Sequence, residues 1–249
     1  MTTLSITVLM SVYAGERPDF LDAALGSLAD QARRADHVVL VLDGPVGDDL
    51  WKVVERWRPA LALKIVPLAI NAGLGAALAE GMRHCTTPLV ARADSDDISL
   101  PERFAVQAAL LQDRPDLDIV GSFAREIDNN ARPGNSRTVP VDHLRIVDAI
   151  WANPMLHPTV MFRRERIVAV GSYRVGLRRS EDYDLWFRCV AGGLRFANIP
   201  RDLVLYRHDL DSFRKAPVAG AWERAMVGYR GCRTLGLPLW QRAAVFVPV

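Results

Sequence analysis

Cysteine is scarce and unpatterned in this chain: Cys85, Cys189 and Cys232 are odd in number, far apart and outside any metal-ligand spacing. A disulfide framework and a zinc site are thereby excluded, and a reducing cytoplasm is the expected compartment. No run of about eighteen apolar residues occurs, so no spanning helix is expected. Residues Thr2 to Thr7 lack the basic and apolar regions of a signal peptide and lead directly into a strand-like stretch, so no export is expected. Charge of one sign is missing too. The formal net charge is +2, and no aromatic-and-basic RNA-recognition core is present, which excludes bulk attraction to nucleic acid. Internal repeats, low-complexity tracts and a clean linker are also absent.

What is present is an ordinary globular composition, half hydrophobic and about a quarter charged, over 249 residues. That length buries a sizeable core, and one continuous domain is expected. Ile6 to Val12 reads as a buried strand, and Phe20, Leu21, Ala24, Leu25 and Leu28 then recur at helical spacing. The alternation repeats: strand at His37–Leu42, helix around Leu50–Trp57, strand at Leu63–Val66, helix at Leu74–Arg83, strand at Pro88–Ala93. It predicts an α/β fold with a mostly parallel sheet flanked by helices. Further on, the pattern predicts a helix over Pro101–Leu111, a strand over Leu117–Gly121 and a loop over Asp128–Gly134. A helix near Asp142–Trp151, a strand near Thr159–Phe162 and a helix over Glu181–Ala191 follow.

The strand at Pro88–Ala93 delivers the chain into Asp94-Ser95-Asp96-Asp97. Ligands of open α/β sheets bind outside the carboxyl ends of strands. Three carboxylates within four residues repel one another unless a cation compensates, and a hard divalent ion does so through oxygen ligands. A solvated acidic turn capping the next helix is the plainer alternative for such a short motif. Gly73-Leu74-Gly75 lacks a full dinucleotide or Walker fingerprint, so those two sites are rejected.

The stretch Val90 to Gln107 resembles the metal-binding segment of the family 2 glycosyltransferases, inverting enzymes of the GT-A fold found in bacterial polysaccharide synthesis. Ser95 stands where relatives usually carry alanine. Other segments agree in order. Val8 to Tyr13 is similar to the family's first strand, and Asn71 to Leu78 to its glycine-containing donor segment. His157 to Phe162 and Ser180 to Trp186 resemble its acceptor-side motifs, and Leu205 to His208 the end of its catalytic region. Many relatives have Asn where this chain has Ala14, and a second Asp before Gly44.

The resemblance implies a single Rossmann-like GT-A catalytic domain over residues 1–215. Residues 1–122 form its nucleotide-sugar and metal part, 123–215 its acceptor part, and 216–249 a helical segment. It implies that Mn2+ or Mg2+ is held through Asp96, with Asp94 supporting the donor or the metal shell and His208 completing coordination or touching the diphosphate. Tyr13 is then expected against the nucleobase and Asp43 as an acceptor from it, with Ser11 and Ser95 in the same donor site. Asn71 and Gly73 are expected close to the donor, Gly73 because it has no side chain to block the approach. Arg92 or another cation is expected to meet the phosphate charge. Asp182 is the expected general base, with Glu181 and His157 on the acceptor side. Helix capping by Glu181 and Asp182, an ordinary turn role for Asp43, core packing of Tyr13, a simple helix start at Gly73, and an ordinary packing or surface role for His208 are the alternatives.

The implied reaction moves a sugar, first of all from a UDP-sugar, to a hydroxyl of a saccharide or lipid-linked acceptor. A nucleotidyltransferase and a transferase-like interaction protein with little turnover are the competing classes. In the C-terminal segment, Ala221, Trp222, Ala225, Met226 and Tyr229 recur at helical spacing beside Arg224, Arg230, Arg233 and Arg242. Packing of this stripe against the catalytic domain is expected; peripheral contact with the inner face of the cell membrane is the alternative.

Overall fold

The computed structural model describes residues 4–177, 179–207 and 218–247. The first half follows the expected alternation: β1 (Ile6–Tyr13), α1 (Pro18–Ala29), β2 (His37–Asp43), α2 (Asp48–Leu61), β3 (Leu63–Pro67), α3 (Leu74–His84) and β4 (Leu89–Arg92). β1 pairs in parallel with β2 and β4, and β2 in parallel with β3. Both faces of these strands are covered. Val8, Met10 and Val12 pack into one cluster with Leu21, Leu25 and Val54 of α1 and α2. Leu9, Val39 and Val41 point the other way, onto Leu78 and Met82 of α3. This is the two-residue period of a pleated strand, and burial on both faces is why these segments read as continuous apolar runs.

The second half adds β5 (Ile98–Ser99), α4 (Arg103–Asp113), β6 (Ile119–Ile127), β7 (Pro133–Arg137) and α5 (His143–Asp148). It continues with β8 (Met161–Arg163), α6 (Arg164–Ala169), α7 (Glu181–Ala191) and β9 (Phe196–Arg207). The sheet runs β3-β2-β1-β4-β8-β6-β9-β5, with β7 attached to β6. β8 is antiparallel to both β4 and β6, while β6 and β9 are parallel. The sheet is therefore mixed, with its parallel half at the amino-terminal end of the chain.

Several local expectations shift. The loop expected over Asp128–Gly134 is cut short, because Pro133 already begins β7 and Arg125 and Ala124 provide an antiparallel partner for it. The expected strand at Thr159 starts at Met161, since His157–Thr159 forms a 3-10 turn. The helix over 142–151 stops at Asp148 and gives way to a 3-10 turn ended by Asn153, which adopts φ +57°. Sequence pattern did not reveal β9, because Pro200 interrupts it. The strand passes through Pro200 by a register shift: Ile199 pairs with Ser122 and Asp202 with Phe123, leaving Pro200 and Arg201 outside the ladder.

The C-terminal segment forms α8 (Val218–Thr234) and α9 (Leu239–Ala244). The face of α8 that packs is not the large-residue stripe. Ala225, Gly228, Gly231 and Cys232 are buried, and a Cβ placed on Gly231 would fall on the Phe187 ring of α7. Ala221, Trp222 and Tyr229 are exposed, and Met226 is half-buried. Nor do the four arginines share a face: Arg224 lies over the Tyr183 ring at 5.1 Å, and Arg242 donates to the Leu237 carbonyl.

Candidate active site

Parallel packing of β1, β2 and β4 brings their carboxyl ends to one edge of the sheet, where a cavity of about 680 Å3 opens. Ser11 and Tyr13 reach it from β1, Asp43 from β2, and Asn71 and Gly73 from the entry to α3. Asp94, Ser95 and Asp96 line it from the turn after β4. Glu181 and Asp182 close it from the start of α7. Ten expected site residues thus share one cavity although they are spread over more than two-thirds of the chain.

The acidic turn is compact. Carboxylate oxygens of Asp94, Asp96 and Asp97 lie within 4.8 Å of one another, a group that could hold a metal ion. Burial, reinforced by Asp94 and Glu16, pushes Asp96 up to about 7. Burial and the charges of Asp94 and Asp96 hold Asp97 well above the usual carboxylate range. Asp97 Oδ1 accepts from the Arg207 backbone N–H at 2.7 Å, while its Oδ2 is buried with no partner among the described residues. Buried carboxylates that repel one another, as Asp96 and Asp97 do, fit a hard divalent cation, whose charge offsets both penalties. A merely solvated turn would not be buried. His208, expected beside this cluster, lies outside the described residues.

Two expected roles change. Arg92 is 1% exposed and forms an ion pair with Asp94 beneath the turn, so it does not line the cavity. Its charge still acts on Asp96, Glu181 and Asp182 from beneath, favouring their ionised forms. His157, expected at the acceptor entrance, sits in the core: its Nε2 is 2.9 Å from the Tyr173 hydroxyl, and its ring meets Trp186 edge-on at 6.0 Å. Burial, with Arg92 nearby, drives its pKa well below the ordinary value, so the ring is neutral.

Asp43 and Gly73 also act differently in detail. Asp43 accepts from the backbone N–H of Ala72 at 2.7 Å and of Gly73 at 3.0 Å, one bond to each oxygen. It pins the donor-side loop to the end of β2 as well as facing the cavity. Gly73 caps α3 at φ +87°, and a Cβ there would meet nothing within 4 Å. The backbone angle, not a close approach, is what requires glycine.

At α7, burial and the adjacent Asp182 charge push Glu181 up to about 7, and its Oε2 is buried without a partner among the described residues. A carboxylate that served only to cap a helix is held down, not up, by the N–H groups and dipole it meets. Asp182 is also raised by burial. Its Oδ2 accepts from Asn153 Nδ2 at 3.0 Å, which fixes the carboxylate's orientation. Sequence reasoning missed Asn153, whose left-handed backbone turns its amide toward α7. It also missed Glu16, Arg179 and Tyr206, which line the cavity. Glu16 accepts from Ser95 Oγ, a contact across 79 residues that no local pattern announces. Arg179 sits one residue before the Ser180 motif, and Tyr206 inside the Leu205–His208 motif, so proximity to those segments was the available signal.

A mixed α/β sheet with this acidic cavity at the carboxyl ends of its parallel strands defines a glycosyltransferase of the GT-A class. The chain belongs to glycosyl transferase family 2, whose model matches residues 7–184. It is 40% identical over 210 residues to the amylovoran biosynthesis glycosyltransferase AmsE of Erwinia amylovora, covering 84% of this chain and 78% of that one. It is 34% identical over 216 residues to an Escherichia coli UDP-Gal:alpha-D-GlcNAc-diphosphoundecaprenol beta-1,3-galactosyltransferase, covering 86% and 78%. Among solved structures, the fold matches TarS of S. aureus in complex with UDP-GlcNAc, with TM-score 0.76 and 19% identity over 98% of this chain and 70% of that one. It also matches a mannosyltransferase of Pyrobaculum calidifontis in complex with GDP-Man and Mn2+, with TM-score 0.70 and 18% identity over 98% and 70%.

Proposed function

We propose that this glycosyltransferase moves a sugar from a UDP-sugar, with inversion, to a hydroxyl of a lipid-linked saccharide diphosphate in bacterial cell-surface polysaccharide or glycolipid assembly. The observation that carries this reading is the meeting, in one cavity, of the Asp94–Asp96 turn with Glu181 and Asp182. The names of the relatives from Erwinia and E. coli support the pathway, the donor and the acceptor class.

In this reading Asp96 and Asp94 hold Mn2+ or Mg2+, which when bound supplies positive charge to the departing diphosphate. Tyr13, half exposed at the rim, offers its ring to the nucleobase, with Asp43, Asn71 and Ser11 beside it. Ser95, tied to Glu16, holds the turn's shape. Arg179 takes the phosphate role expected of Arg92, because it is exposed and lines the cavity. Asp182 takes the acceptor proton as the hydroxyl attacks the anomeric carbon, oriented by Asn153. Glu181 sits beside it on the acceptor side.

No helix among the described residues is long and apolar enough to cross a membrane. We propose a peripheral contact with the inner membrane face through exposed Trp222, Leu239, Trp240 and Phe246, on α8, α9 and the turn that follows. Three free cysteines, all buried, accord with a cytoplasmic setting.

Product analysis tests the transfer. UDP-sugars incubated with Mn2+ and a lipid-diphosphate saccharide should give UDP and an inverted glycoside. EDTA or Asp96→Asn should abolish both while leaving the melting temperature nearly unchanged. Release of pyrophosphate identifies a nucleotidyltransferase instead, and absence of turnover with every nucleotide sugar identifies an interaction protein.

A further inference from the structure

The segment from Arg174 to Asp182 serves two cavities. Arg179, Glu181 and Asp182 face the one already described, whereas Arg174 and Leu177 line a second, of about 310 Å3, between α7 and α8. Three guanidinium groups line this second cavity, those of Arg174, Arg188 and Arg230, against a single carboxylate, Asp184. Asp184 is already used: its Oδ1 accepts from Arg174 Nη1 at 3.1 Å and its Oδ2 from Arg188 Nε at 2.7 Å. Arg188 Nη1 donates to the Val170 carbonyl, but its Nη2 is buried with no partner among the described residues. Arg230 likewise has no hydrogen bond or ion pair among them. The cavity therefore carries an excess of positive charge and an unmet buried donor, with Leu177, Phe187 and Val227 as apolar walls. Leaving such a donor unpaired is costly, and planar guanidinium groups suit phosphate oxygens.

We propose that this cavity binds the diphosphate of the lipid-linked acceptor, its apolar walls taking the first carbons of the lipid. The inference rests on the acceptor class given above and names the residues that select it. Asp182 and Arg188 are six positions apart on α7, about 9 Å along its axis. Their side chains also project about 120° apart around the helix, so an acceptor whose hydroxyl lies at Asp182 passes round the amino end of α7 to leave its diphosphate at the arginines.

Titration calorimetry of the full chain in EDTA, with octyl diphosphate below its micelle concentration, isolates this site from the metal cluster. Octyl diphosphate should bind, octanol should not, and inorganic pyrophosphate should bind at least about tenfold more weakly because it forgoes the apolar walls. Arg230→Glu should weaken octyl diphosphate at least about tenfold. Arg174→Gln, a milder change, should weaken it severalfold, with UDP binding in Mn2+ unaltered in both variants. No binding to the wild type, or affinity indifferent to both substitutions, overturns the proposal. Pyrophosphate binding as tightly as octyl diphosphate overturns it too, because the cavity then serves a free phosphate. None of these readings requires sugar transfer, so failure of the donor reaction shows separately, in the product analysis.

Discussion

Glu181 and Asp182 are adjacent carboxylates at one helix start, and their environments separate their tasks. Asp182 is held by Asn153, while Glu181 has a buried oxygen with no hydrogen-bond partner among the described residues. Asp182→Asn keeps the shape and the Asn153 neighbour but cannot accept a proton. Transfer should fall by about 10²- to 10⁴-fold with UDP affinity unchanged by calorimetry; an unchanged rate returns Asp182 to helix capping. Burial raises both acids, Glu181 to about 7, so the ionised pair is lost as pH falls. The rate at saturating donor should therefore climb with pH above the ordinary carboxylate range, as Asp182 loses its proton. Glu181→Gln, by removing a like charge next to Asp182, should move the acid limb to lower pH, and a profile flat from pH 5 to 8 contradicts the assignment. The linkage sign for stability is opposite. Between 4.5 and about 7 the folded chain holds a proton on Glu181 that the unfolded chain has released, so this group's contribution to stability declines as pH rises through that window.

Helix α8 docks by smallness. Its buried residues are Ala225, Gly228, Gly231 and Cys232, which let the backbone approach the Tyr183 and Phe187 rings of α7. Since α7 carries Glu181 and Asp182 at its start, α8 supports the acceptor end of the site from behind. Gly231→Val places side-chain atoms where the Phe187 ring lies, and overpacking of this kind costs about 1–3 kcal/mol. A lower urea midpoint with UDP binding retained is the expected result, because the donor side is built from β1, β2 and β4. An unchanged midpoint would show that α8 is not held by this contact.

For the molecule as a whole, the exposed aromatic side chains other than Tyr13 gather at the C-terminal helices among the described residues. Trp222 and Tyr229 each meet Phe246 at 6.0 Å between ring centroids, and Trp240 stands edge-on to Trp151 at 5.9 Å. Trp222 and Trp240 are each about 60% exposed, a large apolar area to leave in water. Because the arginines do not align on this face, membrane contact rests chiefly on these rings, and its salt dependence should be shallow. The protein should sediment with liposomes of anionic and zwitterionic lipid, and Trp222→Ser with Trp240→Ser should release it. A wild-type protein that stays in the supernatant rules out the lipid contact.

Local chemistry alone settled much of this protein. The β-branched runs of β1 to β4 and the periodicity of α1 to α3 follow from burial on two sheet faces and one helix face, so they were legible before any contact was known. Asp94, Asp96, Glu181 and Asp182 were legible too, since each lies within a contiguous motif. Tertiary structure decided the rest, because those features depend on partners distant in sequence. β9 survives Pro200 only because β6 offers a shifted register, and β7 exists only as a partner for β6. His157 and Arg92 carry polar groups that the sequence assigned to the ligand, yet in the interior the Tyr173 hydroxyl meets the imidazole and Asp94 pairs with the guanidinium charge. Glu16 and Arg179 reach the cavity, and Asn153 reaches Asp182, through loop geometry, and the face of α8 that packs is defined by the shape of Phe187. A residue's type fixes which bonds it can make; only the fold brings the partner that determines which it does make.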